Sequence, residues 1–212
     1  YSVIPFSGQW RFIEPTRGKP DYADLDAYVA WCGEHGVKTE LHFVSGYAPA
    51  WAKGGDNPRL TLDHARALAR RYGEKIADWQ VTSDEPGRPD TAALFAELRR
   101  DAPRARLGLE EDTRLWSGPA ARAGGAPIGQ SPAGETAGIE ELQALKQAGV
   151  KVDYFALEAR RPTGLWASGA DVYAALDAFA AEGVPVHITQ LGVPVGARIE
   201  GAVREGTWTP QL

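Results

Sequence analysis

Short apolar runs of the strand type alternate six times with amphipathic helical stretches, and that alternation limits this chain to very few folds. The unit recurs about every 35 residues. Val3–Trp10 reads as a first extended run. "DYADLDAYVAWCGEHG" carries Leu25, Tyr28, Val29 and Cys32 on one helical face and ends at Gly36. "VKTELHFV", "ADWQVTS", "ARLGLEE", "KVDYFALEA" and "VPVHITQL" are the later strands. Between them lie the helices "LDHARALARRYGEKI", with Thr61 as its expected N-cap, "DTAALFAELRRDA", "GIEELQALKQAG" and "DVYAALDAFAAEG". His35 and His64 fall on helices and are expected to be exposed. Cys32, the single cysteine, is expected in the core and excludes an internal disulfide.

Near-continuous apolar strands joined through helices imply parallel β/α units. An open doubly wound sheet would want a Gly-rich turn after its first strand. "SGQWRFIEP" is not one. Polar and aromatic residues instead gather after every strand: Gln9 and Trp10, Ser45 and Tyr47, Asp84 and Glu85, Glu110 to Asp112, Glu158 and Arg160, Gln190. Chemistry at all the strand carboxyl ends is the habit of the closed (β/α)8 barrel. The expectation is one TIM-type barrel domain over residues 1–212, α/β in class, with about six β/α units visible and two strands short of closure. The chain begins at Tyr1 and contains no Met, so it reads as a processed, trimmed or partial sequence.

Composition removes several functional classes. A net charge of −5 offers no basic face for nucleic acid or an anionic membrane. No apolar run approaches the ~20 residues that span a bilayer. CxxC, HExxH and Walker-type spacings are absent, so neither metal nor cofactor is expected. "EED", Glu110 to Asp112, has no matching ligands elsewhere and makes no metal set. The seven Trp suit core packing, and as a set they also suit stacking on sugar rings. Trp51, in the loop after the second strand, is the best such platform. Trp116 and Trp166 lie in later loops.

"WQVTSDEPG" ends a strand in two carboxylates. A carboxyl group there, with its pKa raised by burial, could protonate a leaving-group oxygen. Glycoside hydrolysis sets a second carboxylate across the scissile bond. The corresponding position at the end of the sixth strand is Gln190, an amide. His187, an odd number of residues earlier, is expected on the opposite face, packed and hydrogen-bonded.

Four segments together resemble the family 10 glycoside hydrolases, the xylanase family of (β/α)8 barrels. "GQWRFIEPTRG" is similar to the family's "MKW…EP.RG", and "LHFVSGYAPAW" to "HTLVWHSQ.P.W". "WQVTSDEP" resembles "WDVVNE", which holds the acid/base, and "VPVHITQLGVP" resembles "V.ITELDV", which holds the nucleophile. The resemblance implies a saccharide partner, a secreted or periplasmic protein, and retaining cleavage of β-glycosides in plant-type polysaccharides, of the endo-β-1,4-glycanase type. It also implies that the barrel's first and last strands lie outside this chain or are supplied by other segments.

Carried over residue by residue, the family acid/base falls on Asp84, or on Glu85 if the strand holds one extra residue. The "EP" ending favours Glu85. The nucleophile position is Gln190. The substrate-binding positions fall on Gln9 and Trp10, on His42 (or Glu40), on Tyr47 and Trp51, on Glu110, and on Glu158 and Arg160. Gln9 stands where the family has a sugar-binding Lys, so xylan specificity does not carry over. Gln190 admits three readings: a Glu→Gln change made to trap a complex, a natural glycan-binding pseudo-enzyme or scaffold domain, or catalysis by another pair such as Glu85 with Glu158 or Glu110.

Overall fold

In the computed structural model, residues 1–4, 6–42, 44–53, 57–82, 90–111, 137–159 and 169–191 are described. The six expected strands are present: β1 (Ser2–Ile4), β2 (Thr39–Leu41), β3 (Asp78–Gln80), β4 (Arg106–Glu111), β5 (Tyr154–Ala159) and β6 (Val186–Leu191). They form one sheet in sequence order. The ladders β1–β2, β2–β3, β3–β4 and β5–β6 are parallel. The helices are α1 (Trp10–Ile13), α2 (Ala23–Glu34), α3 (Asn57–Tyr72), α4 (Thr91–Asp101), α5 (Ala137–Gln147) and α6 (Gly169–Ala180). Parallel strands joined by helices, each beside its sequence neighbour, make a partial (β/α) barrel of the TIM type. Two compact units are distinguished: Tyr1–Glu110 with Leu142–Tyr154, and Glu111–Glu141 with Phe155–Leu212.

In the first unit, strand alternation separates two chemistries. Leu41, Trp79, Val81, Leu107 and Leu109 form one row, fully buried. They match the buried apolar stripes of the helices: Leu25, Val29 and Cys32 on α2, Leu68 on α3, Leu94 and Leu98 on α4. The other row is polar: Glu40, Asp78, Gln80, Thr82, Arg106 and Glu110. All but Arg106 in that row are buried. Asp90 supports the start of α4 by accepting a hydrogen bond from Ala93 N at 2.9 Å, which satisfies one of the helix's free N–H groups.

Contacts on the polar row require a curled sheet. Side chains stand roughly perpendicular to a sheet. On a flat one, β2 and β5 would lie about 14 Å apart, at about 4.8 Å per strand. Yet the Tyr154 hydroxyl donates to Glu40 Oε1 at 3.2 Å. The Tyr1 hydroxyl, entering ahead of β1, reaches Asp78 on β3 at 2.6 Å. Residues separated by strands therefore converge on the inner face.

The first extended run is shorter than expected. It breaks after Ile4 into a 3-10 turn, Phe6–Gly8, and then α1. A Cβ on Gly8 would lie 2.7 Å from Leu41 Cδ1 and 3.0 Å from Ile4 Cγ2. Only glycine lets this turn press on the strands, and the turn delivers Gln9 to the strand end. Thr61 is not an N-cap: α3 already begins at Asn57, and Thr61 Oγ1 donates back to Asn57 O at 2.8 Å. His64 is buried rather than exposed, on the stripe that also holds Ala65 and Leu68.

Asp153, just ahead of β5, ties the strand starts together. Its carboxylate accepts from Lys151 Nζ at 2.7 Å, Arg99 Nη2 at 2.5 Å and Leu107 N at 3.0 Å. Burial alone would raise its pKa, but these donors hold it below the usual carboxylate value. A depressed pKa stabilises the fold above the unfolded-state pKa, and that stability is lost as pH falls through the folded-state value. D153N is expected to cost about 1.5–3 kcal/mol in urea unfolding at neutral pH, as for hydrogen bonds to charged groups. Its deficit should shrink as the wild type is acidified.

Candidate active site

The carboxyl ends of β1–β4 gather buried polar groups. Gln9, after β1, occupies the N-cap position of α1 with extended backbone (φ −82°, ψ 136°). Its side chain is buried, and Oε1 has no partner among the described residues. Past Leu41 the chain continues the β2–β3 ladder: Val44 N donates to Gln80 O at 3.0 Å and Ser45 N to Val81 O at 3.2 Å. That continuation sets Ser45 beside the end of β3, where its Oγ is buried and without a partner among the described residues. Gln80 is 0% exposed, and neither of its amide atoms has a partner among the described residues. Two residues on, Thr82 Oγ1 accepts from Glu110 N at 3.0 Å. His42 and Glu110, both buried, complete the set.

An unpaired buried polar group costs about 1–3 kcal/mol. Native proteins carry few of them. The free hydrogen-bonding atoms of Gln9, Ser45 and Gln80 are neutral, and between them offer donors and acceptors. The family resemblance points to none of Gln80, Thr82 and Ser45 as substrate-binding. The signal was present for the strand pair, since Asp78, Gln80 and Thr82 alternate with Trp79 and Val81.

The loop after β2 holds strained backbone. Tyr47 adopts φ 57°, uncommon for a residue with a side chain. Its carbonyl accepts from Arg11 N at 3.0 Å, and the Arg11 guanidinium lies 4.7 Å from the Tyr47 ring centroid. Strain of this kind persists where the surroundings over-determine it.

Trp10 and Trp51 sit together. The buried Trp10 ring stacks on His64 at 4.7 Å and meets Trp51 edge-on at 5.6 Å. Trp51 Nε1 donates to Glu14 O at 2.8 Å. A cleft of about 340 Å³ runs past Trp51, Trp10, Tyr22, Arg17 and His64. Burial pulls the His64 pKa down to about 3, so its ring is neutral.

Glu40, the alternative to His42, lies elsewhere. It pairs in register with Asp78, toward the amino ends of the strands. His42 is two residues nearer the carboxyl end. In the second unit, β5 and β6 pair Ala156 with His187 and Leu157 with Ile188, then Glu158 with Gln190. The extra residue, Thr189, makes a bulge. It brings Gln190 into register with Glu158, so the residue count from His187 to Gln190 does not carry over into the pairing with β5. Asp84, Glu85, Asp112, Trp116, Arg160 and Trp166 lie outside the described residues. Among the described residues, no group of three or more His, Cys, Asp or Glu could hold a metal ion. No helix among them is long and apolar enough to cross a membrane.

No family model matches the sequence. Solved structures do match the fold. A family 10 xylanase from Thermobacillus composti has 20% sequence identity and a TM-score of 0.73, over 99% of this chain and 66% of that one. A psychrophilic family 10 endo-β-1,4-xylanase has 18% identity and a TM-score of 0.67, over 90% of this chain and 66% of that one. Xylanase 10B from Thermotoga petrophila, solved with xylobiose, has 16% identity and a TM-score of 0.67, over 89% and 60%. The chain thus spans 60–66% of the length of these structures. What it shares with these family 10 xylanases is the fold, a divergent form of their (β/α) barrel.

Proposed function

We propose that the carboxyl end of the sheet binds a neutral glycan and is the remnant or working site of a retaining β-glycoside hydrolase of the endo-β-1,4-glycanase type. The observation that carries this is the set of buried, neutral, unpaired groups on Gln9, Ser45 and Gln80. Sugar hydroxyls both donate and accept, and so answer amides and hydroxyls. A phosphate would instead want charge and donors. Glu85 is the proposed acid/base, with Asp84 beside it, and position 190 is the nucleophile site. The bulge at Thr189 supports a special role for that position, because bulges commonly re-aim a residue beside an active site. His42, Tyr47, Trp51, Glu110, Glu158 and Arg160 are the further substrate contacts. An extracellular setting, where polysaccharide is met, belongs to the same reading.

With an amide at 190, no glycosyl–enzyme bond can form, while the size of Glu is kept. The proposal for the chain as it stands is therefore binding with little turnover, and a non-catalytic glycan-binding domain is the second reading. Calorimetric titration with β-1,4-linked xylo- and gluco-oligosaccharides tests the site. Q80L is expected to weaken binding at least tenfold, roughly the loss of one or two good hydrogen bonds. It should not lower the thermal midpoint, because the variant also removes an unpaired amide. Undiminished binding by Q80L would sink the site assignment.

A further inference from the structure

Away from the proposed glycan site, toward the amino ends of the strands, two buried carboxyl groups share one hydroxyl. Glu40 is 1% exposed and Asp78 2%. The Tyr1 hydroxyl lies 2.8 Å from Glu40 Oε2 and 2.6 Å from Asp78 Oδ2. The Tyr154 hydroxyl lies 3.2 Å from Glu40 Oε1. Arg106 Nε lies 3.6 Å from Asp78 Oδ1. His42, just past the end of β2, is close enough to act on Glu40 electrostatically.

Counting protons decides how this cluster is charged. The Tyr1 hydroxyl has one proton and can donate to only one of the two carboxyl groups. If both were ionised, the other contact would set lone pair against lone pair at hydrogen-bond distance. A proton on one carboxyl group resolves this. Asp78 has the permanently charged Arg106 beside it and is the better place for the negative charge. Among the described residues, the hydrogen bonds of Glu40 run to tyrosine hydroxyls and to no arginine or lysine. A proton there makes a directed chain: Glu40 donates to the Tyr1 oxygen, Tyr1 donates to Asp78, and Tyr154 donates to the remaining Glu40 oxygen.

We propose that Glu40 is held as a neutral carboxylic acid in this chain, forming a built-in proton-binding site that couples the stability of the strand floor to pH. Burial favours the neutral form, and the nearby charge of Asp78 adds to it. The hydroxyls of Tyr1 and Tyr154 and any positive charge on His42 act in the opposite direction, and the balance raises the Glu40 pKa. A carboxyl group with a raised folded-state pKa stabilises the protein below the unfolded-state pKa, and that stability is lost as pH rises through the folded-state value. This is opposite in sign to Asp153.

The test follows the folding equilibrium of the whole chain by urea titration from acid to mildly alkaline pH. In the wild type the folding constant should fall with rising pH by up to about tenfold per unit across the window between the two pKa values. E40Q keeps the shape, donates an N–H to Tyr1 and cannot ionise, so its profile should lose that fall. A wild type without the fall, or an E40Q profile that keeps it, overturns the proposal. If D78N removes the fall and E40Q does not, the proton sits on Asp78 and the assignment to Glu40 is wrong. Should E40Q fail to fold, carbon-13 carboxyl titration of the wild type decides. A glutamate carboxyl carbon with through-space contacts to the Tyr1 and Tyr154 rings must titrate above the exposed glutamates, and titration with them refutes the idea.

Discussion

G108A is expected to be among the most damaging single-methyl additions to this protein. A Cβ built on Gly108 would lie 2.3 Å from Tyr154 Cζ, 2.4 Å from Cε2 and 2.8 Å from Cε1. No van der Waals contact is that short, so ring or strand must move. The ring has little freedom. It is fully buried, its hydroxyl is bound to Glu40, and the Arg106 guanidinium lies 5.2 Å from its centroid. Overpacking typically costs about 1–3 kcal/mol and occasionally more, and a ring pinned at both ends places G108A at or above the top of that range. Urea unfolding measures the loss. In a Tyr154→Ala background the added methyl should cost under about 0.5 kcal/mol, because residues in contact are not additive. Equal losses in both backgrounds would show that the ring is not what excludes the methyl.

The second large effect concerns activity. Under the proposed pairing, Q190E restores a group able to accept the glycosyl unit and to stabilise the charge that develops at the anomeric carbon. Hydrolysis of β-1,4-linked oligosaccharides should then rise by at least about 10²-fold, the lower bound for a positioned acid or base. Glu85→Gln made on top of Q190E should remove a similar factor. Its loss should be smaller for substrates with good leaving groups, which need little protonation. Binding by both forms with turnover in neither would instead support a glycan-binding domain. Full loss with Asp84→Asn and none with Glu85→Gln would move the acid to Asp84.

Much of the fold was legible because periodicity is a local property. Alternation of apolar runs with helical stripes predicts all six strands, and the buried Cys32 follows from its place on the α2 stripe. The burial of His64 is legible too. The residue lies on the stripe formed by Thr61, Ala65, Leu68 and Tyr72, and that position outweighs the usual exposure of histidine. The break after Ile4 was not legible, since it depends on Leu41, far along the chain, crowding Gly8. Nor was the bulge at Thr189. Strand alternation counts residues, whereas register depends on which partner each residue meets.

Of the candidate site, the sequence supplied the residue types at the strand ends and the amide at position 190. Their spacing along the chain is what proposes them as a set, because every parallel β/α unit delivers its strand end to the same side. Only the tertiary structure showed which polar groups lack partners. Burial and hydrogen bonding are properties of neighbours, and Ser45 comes beside the end of β3 only after β2 and β3 pair. The same holds for Tyr1, Glu40, Asp78 and Tyr154. They are far apart in sequence and ordinary in composition. The curl of the sheet brings them within hydrogen-bond distance and leaves one proton too few for two charged carboxylates.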